Sequence, residues 1–352
     1  MLDIIILCGG RSAEHEVSFL SARSVVTHFD RTDRRVQVLG IRRDGSTFRP
    51  DQLKDAFGGD GLEGVEFPEA DHWISYLLSA RSESTVVFPV LHGPYGEDGT
   101  VQGLLELLDL PYVGSSVCGS AVGMNKIHAK ALLQAAGLPT LPSIRVDRMG
   151  WDRARDVLDQ VSNELKMPVF VKPANMGSSV GVSRCLDRQG LTKAIQLAFE
   201  FDDYVLVEQG IDAREIEVSV LGNEAPEVSI PGEIIPADEF YSYDAKYLND
   251  ASQLLIPAPL DESVGREVQR LGVAAYEVLQ LEGMARIDFL LDRQSLEIWI
   301  NEANTIPGFT RISMYPKLWE ASGLPYSRLL ERLVQLAVER HSRRSRLKTD
   351  RV

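Results

Sequence analysis

Cysteine is scarce in this chain: three in 352 residues, Cys8, Cys118 and Cys185, widely separated. An odd and sparse set excludes a disulfide framework and shows no metal-ligand spacing, so buried thiols in a reducing compartment are expected. Long apolar runs are missing too, and nothing approaches the roughly 20 residues of a membrane span. The opening "MLDIIILCGG" carries Asp3 and too short an apolar stretch for a signal peptide. Positive charge is not in excess; the formal charge is −14, which argues against nucleic acid or an anionic membrane as partner. A phosphate-bearing substrate would therefore need positive charge concentrated locally. Internal repeats and low-complexity linkers are absent as well. What is present is a globular composition, 44% apolar and 25% charged, with length for two or three domains.

Residues 3–8 read as a short apolar strand, followed by Gly9-Gly10 and a helical pattern from about Val17 to Phe29. "RVQVLGI" (35–41) and "TVVFPVL" (85–91) are further buried strands, "TVQGLLELLDL" an amphipathic helix and "PYVG" a short strand. Alternating strand and helix predict an open, mostly parallel sheet, with ligands beyond the carboxyl ends of its strands. Gly9-Gly10 and "HGPYGEDG" (92–99) fall at those ends. Past a boundary near Ser115 come the helix "NKIHAKALLQAAG", the strand "LPSIRV", a helix over 151–165, the stretch "PVFVKPANMGSSVGVS", a helix over 190–200 and the strand "YVLVE". From about Gln209 the pattern changes to long, antiparallel-looking strands: "EIEVSVLGN", "GMARIDFLLD" and "LEIWINEAN". Residues 237–253 have no period and hold four aromatics, which suits a lid or binding loop.

The stretch at 168–183 has the small residues of a phosphate loop but no Gly-Lys-Ser/Thr, so it is not a Walker A loop. Val180 and Val182 alternate with polar residues, so a strand follows, and "ANMGSSVG" becomes a flap between two strands. Its backbone N–H groups, with Ser178 and Ser179, and the point charge of Lys172 could hold phosphate oxygens. Lys172 shares its strand with Val169, Phe170 and Val171, so it should be part-buried and need a partner. If the last two strands form a hairpin about Ser295, residues whose numbers sum to 590 lie opposite each other, and Asp288 faces Glu302. Alternation then puts Arg286, Asp288, Glu302 and Asn304 on one face. Opposed carboxylates repel without a cation between them, and oxygen donors of this kind suit Mg²⁺. The plainer alternative is a solvated hairpin face with an Arg286–Asp288 pair.

Lys172, the flap and the Asp288/Glu302/Asn304 set together resemble an ATP-grasp enzyme, a fold that holds ATP between two antiparallel sheets. Within it the chain is similar to the D-alanine–D-alanine ligase family, through "GGRSAEHEVS", "HGPYGEDGTVQG", "GMNK", "VFVKPANMGSSVGVS", "REIEVSVLG", "YDAKYL" and "NEANTIPGFTRISMYP", in that order from residue 9 to about 316. The resemblance implies an α/β chain, α+β in part, of three domains: 1–114 parallel, 115–208 with the flap, and 209–352 with the lid 237–253 and the metal site. It implies joining of two D-alanines through a D-alanyl phosphate. Lys126 and Lys172 would meet the α- and β-phosphates and Lys246 the γ-phosphate. Glu208 would meet adenine, beside Gln209 where relatives often carry Lys, and Glu215 the ribose.

Two Mg²⁺ or Mn²⁺ ions on Asp288, Glu302 and Asn304, and a monovalent cation, are the implied metals. Arg286 and the Gly308 N–H match an oxyanion site, Glu14 and His92 the first D-alanine, and Ser313 with the Met314 N–H the second. Glu14, Ser178 and Tyr247 are expected to form one hydrogen-bonded link. A cytoplasmic homodimer follows from the same resemblance. The competing readings are a different ATP-grasp ligase, such as a D-alanine–D-lactate or L-amino-acid ligase, a dehydrogenase (weak, since "GGRSAE" lacks G-x-G-x-x-G) and a non-catalytic nucleotide-binding regulator.

Overall fold

The computed structural model describes residues 1–58, 61–236 and 253–348, with all their side chains but those of 152–155. The first sheet is parallel and ordered β3-β2-β1-β4, from β1 (Leu2–Gly9), β2 (Arg34–Ile41), β3 (Val65–Glu66) and β4 (Thr85–Pro89). Strand β1 reads as an apolar run because both of its faces are covered. Ile4 and Ile6 join one apolar cluster, Ile5 and Leu7 another. The expected strand at "PYVG" shrinks to a single parallel bridge between Val87 and Tyr112.

The second sheet is antiparallel, ordered β5-β8-β6-β7, from β5 (Ser143–Asp147), β6 (Val169–Pro173), β7 (Ser183–Cys185) and β8 (Tyr204–Gln209). The flap joins β6 to β7 as expected, but Val180 and Val182, whose alternation suggested the second strand, lie in the turn region before it. The third sheet contains β9 (Ala213–Gly222), β10 (Glu227–Val228), β11 (Gly232–Ile235), β12 (Gln253–Leu255), β13 (Gly283–Asp292) and β14 (Ile298–Asn304). Its order is β12-β11-β9-β13-β14, with β10 on β9. The helix Glu262–Val278 covers its back, burying Val268, Leu271, Ala275 and Tyr276 against Val218 and Phe289.

The β13–β14 hairpin pairs Arg286 with Asn304 and Asp288 with Glu302, as the alternation requires. One residue further the register slips, and Phe289 pairs with Ile300. Asn301 is the extra residue of this bulge, a device that re-aims a side chain.

The first sheet does not close its own core. One cluster joins Ile4, Val86 and Phe88 to Met284, Phe309, Trp319 and the C-terminal helix residues Leu329, Leu333 and Leu336. Each such fully buried side chain contributes about 1.5–3 kcal/mol. On the same helix (Tyr326–Arg344), buried Arg340 donates to the carbonyls of Gly114 and Tyr112, the latter at 2.7 Å. Cys8 and Cys185 are buried, but Cys118 is exposed, against expectation. Its helix, Val117–Met124, turns glycine inward: a Cβ on Gly119 would stand 2.5 Å from the Gln280 carbonyl oxygen. That close approach leaves Cys118 on the outer face.

Candidate active site

The three sheets meet at a cleft of about 970 Å³. Glu14 reaches it from the start of the helix His15–His28, just beyond β1, and is buried. Ser178 of the flap donates its hydroxyl to the Glu14 carboxylate, so flap and first sheet are already in contact. Ser178 and Ser179 both have left-handed backbones, φ 49° and 59°, uncommon for non-glycine residues. Lys246 and Tyr247 of the expected lid lie outside the described residues, so only the Glu14–Ser178 half of the link is seen. Two glycines clear space for Glu14: a Cβ on Gly93 or on Gly177 would come within 2.7 Å of its Oε2. Because that atom ends a flexible chain, Gly177→Ala should leave stability nearly unchanged and displace the carboxylate. The expected result is a rise in KM for the first amino acid of roughly ten- to a hundredfold, read from initial rates; an unchanged KM would show that Glu14 does not set that site.

His92 spends both ring nitrogens on protein. Nδ1 donates to the Ile306 carbonyl (3.0 Å), and Nε2 accepts from Ser21 Oγ (2.9 Å), which accepts from the Phe309 N–H (3.2 Å). Burial lowers its pKa to about 4, so a neutral ring holds the 306–309 loop rather than offering a nitrogen to the cleft. Glu97, four residues on from Gly93, accepts the N–H of Gly93 (2.7 Å) and of Ile306 (3.1 Å). Burial and the nearby Glu14 charge push its pKa up to about 8 despite those donors. A raised folded-state pKa contributes stability that is complete below the unfolded value and is lost as pH rises through the folded one. Glu97→Gln, which cannot accept at both atoms, should be less stable than the parent at pH 5, with the gap in Tm narrowing towards pH 9. A gap constant with pH would refute the proton on Glu97.

The cationic wall is built from the second sheet and the helix Lys126–Ala135. Lys126 Nζ donates to the Met176 carbonyl (2.7 Å) and stands 3.3 Å from Glu302 Oε2. Lys172 is part-buried with a partner, as its strand setting predicts: it pairs with Glu208 Oε2 (2.5 Å) and donates to Asn301 Oδ1 (3.1 Å). Glu208 is buried, with Lys130 on its other oxygen. Burial alone would raise its pKa, but the two lysines hold it below the usual carboxylate range. Glu215 lines the same cleft.

Opposite stands the hairpin. Arg286 forks onto Asp288 with two bonds of 2.7 Å and lies 2.9 Å from Glu217 on β9; Asn304 Nδ2 donates to Asp288 (2.9 Å). The Arg286–Asp288 pair of the plainer reading thus exists, and Lys126 supplies the cation beside Glu302. Among the described residues no group of three His, Cys, Asp or Glu converges as a metal cluster. Two carboxylates and an amide on one hairpin face remain a hard-oxygen set, which suits a divalent ion completed by substrate phosphates. At the far end a Cβ on Gly308 would come within 2.6 Å of Ser313 Oγ. Ser313 precedes the helix Met314–Ala321 without capping it; its hydroxyl accepts from the Thr310 N–H (3.0 Å) and shares a 2.8 Å bond with the Thr310 hydroxyl.

The family descriptions "D-ala D-ala ligase N-terminus" and "D-ala D-ala ligase C-terminus" match residues 3–115 and 132–335. D-alanine–D-alanine ligases of Thermoanaerobacter sp. (strain X514) and Heliobacterium modesticaldum are each 47% identical to the chain, covering 97% and 99% of it and 98% of their own length. This chain belongs to the D-alanine–D-alanine ligase family. Its fold agrees: the Coxiella burnetii D-alanine–D-alanine ligase superposes with TM-score 0.80 at 37% identity, over 98% of this chain and 97% of that one. The VanG D-Ala:D-Ser ligase of Enterococcus faecalis does so with TM-score 0.82 at 33% identity, over 96% and 99%. The ATP-grasp reading of the sheets is thereby shown.

In this ligase-family chain, reading the residues left four polar participants without a role: Glu97, Lys130, Glu217 and Asn301. Glu217 was legible, two residues from Glu215 on one strand face and level with Asp288. Lys130 lies one helical turn beyond Lys126, a spacing that places both on one face. Asn301 was hidden by the bulge, since strict alternation turns it away from Glu302. Gln209 is occupied elsewhere: its amide donates to the carbonyls of Lys166 (2.6 Å) and Gly210 (2.9 Å) and accepts from the Lys166 N–H (2.7 Å).

Proposed function

We propose that this chain joins two D-alanines with ATP, through a D-alanyl phosphate, for peptidoglycan precursor synthesis. The observation that carries the reading is that one cleft holds a lysine wall, an oxygen-rich hairpin and the flap–Glu14 contact. Lys126 and Lys172 would take the α- and β-phosphates and Lys246 the γ-phosphate. Glu208 would face adenine, with Ser178 and Ser179 of the flap above the phosphates, and Glu215 would take the ribose hydroxyls. Two divalent ions, Mg²⁺ or Mn²⁺, held by Asp288, Glu302 and Asn304, would supply neutralisation of phosphate charge during transfer.

The γ-phosphoryl group passes to the carboxylate of the first D-alanine, whose ammonium Glu14 receives, with His92 fixing the adjoining loop. The amine of the second D-alanine, anchored at Ser313 and the Met314 N–H, attacks the acyl phosphate carbon. Arg286 and the Gly308 N–H stabilise the resulting oxyanion; phosphate then leaves, taking up the proton that the nitrogen sheds, and the amide forms. The Glu14–Ser178–Tyr247 link closes flap, lid and first sheet against water, which would otherwise hydrolyse the acyl phosphate. A monovalent cation, homodimeric assembly, a cytoplasmic site of action and domain limits at 115 and 209 belong to the same proposal. Among the described residues no helix is long and apolar enough to cross a membrane.

The test is phosphate release with ATP and Mg²⁺ in the presence of D-alanine, L-alanine or no amino acid, with D-serine and D-lactate as alternative acceptors. Release that requires D-alanine and matches dipeptide one for one is expected. Equal release with L-alanine, or none at all, would sink the proposal.

A further inference from the structure

We propose that Lys130 is a positioning residue for nucleotide binding, the fixed counter-ion of Glu208 that leaves Lys172 able to turn to phosphate. Glu208 lies between two ammonium groups, with Lys130 at Oε1 and Lys172 at Oε2. The two lysines are not equivalent. Lys130 is the more buried, and it donates back to the Leu141 carbonyl at 3.1 Å, inside the protein and away from the cleft. Lys172 looks the other way, to Asn301 on the hairpin, and lines the cleft that Lys130 does not reach. Burial pulls the Lys130 ammonium below the ordinary lysine range even with Glu208 beside it. Its place is therefore costly, and it is secured by the bonds it makes.

A buried carboxylate with a single partner holds that partner, because separating them strands a charge in a poorly solvated site. Were Lys172 alone to neutralise Glu208, each step of its ammonium towards a phosphate would be opposed by that cost. With Lys130 fixed on the other oxygen, Glu208 keeps a counter-charge throughout, and the trio carries a net positive charge at the cleft wall. The inference rests on the proposed role of Lys172 at the phosphates.

The experiment measures ATP–Mg²⁺ affinity of the full-length protein by calorimetry without D-alanine, and KM for ATP and for D-alanine in turnover. Lys130→Met should weaken ATP binding about ten- to a hundredfold, the scale of one charge-assisted contact, and leave KM for D-alanine unchanged. In a Glu208→Gln background, where no carboxylate holds Lys172 back, adding Lys130→Met should cost less than threefold. A parental ATP affinity in Lys130→Met, or an equal loss in both backgrounds, overturns the proposal. Should Lys130→Met fail to fold, Lys130→Gln takes its place in both backgrounds and is read by the same two criteria. A Lys172→Met protein that binds ATP as the parent does would instead refute the phosphate role of Lys172.

Discussion

Replacing Glu302 with glutamine is expected to lower turnover by roughly a thousandfold or more while the protein stays folded. Gln has the shape of Glu, so no cavity opens, and Glu302 is only part-buried on the hairpin face. Lys126 loses one partner but keeps the Met176 carbonyl. What disappears is the negative charge that, with Asp288, would hold the proposed divalent ions on this face, and an amide oxygen cannot offset two such charges. Phosphate release and Tm are the measurements. A well-folded Glu302→Gln protein with near-parental release would remove the metal assignment.

Arg286→Met should damage both activity and stability. Asp288 and Glu217 flank the guanidinium, and both are largely shielded from water. Removing the cation takes a shared counter-charge from two carboxylates, and breaking a buried pair costs about 3–5 kcal/mol. Loss of the proposed oxyanion donor should lower kcat by roughly a hundred- to a thousandfold. The two effects are separable. Glu217→Gln added to Arg286→Met removes one of those two charges and should restore much of the Tm, with no recovery of kcat. If activity returned together with stability, Arg286 would be a structural ion-pair residue and not an oxyanion ligand.

The site was legible where local geometry dictates it. Period-two alternation set Asp288 against Glu302 from residue numbers alone, because pairing in an antiparallel hairpin is arithmetic. The arithmetic failed one residue later: a bulge has no marker in "LEIWINEAN", and Asn301 was missed with it. The strand pattern of 169–172 announced that Lys172 needed a partner but could not name Glu208, which lies 36 residues on. The second lysine on that carboxylate was hidden as well, since helical spacing gives a face and not what the face meets. Cys118 was misplaced for a similar reason. Its neighbours look apolar in sequence, and only the close approach of Gly119 to Gln280 decides which side of the helix turns inward.

The apolar cluster shared by the first sheet and the C-terminal helix has a consequence for synthesis. Ile4 and Ile6 are made roughly three hundred residues before Leu329, Leu333 and Leu336, which share their cluster. Until then that face of β1 is covered only in part, by Ala22, Val25 and Val26 of the helix His15–His28, and the rest waits for contacts of very long sequence separation. A nascent chain halted before Tyr326 would leave part of that face exposed, and so would a product cut near residue 115, where the two family descriptions divide the sequence. The two halves are separable as text but share one apolar cluster, so a stalled or clipped chain of this protein is a candidate for chaperone capture or aggregation.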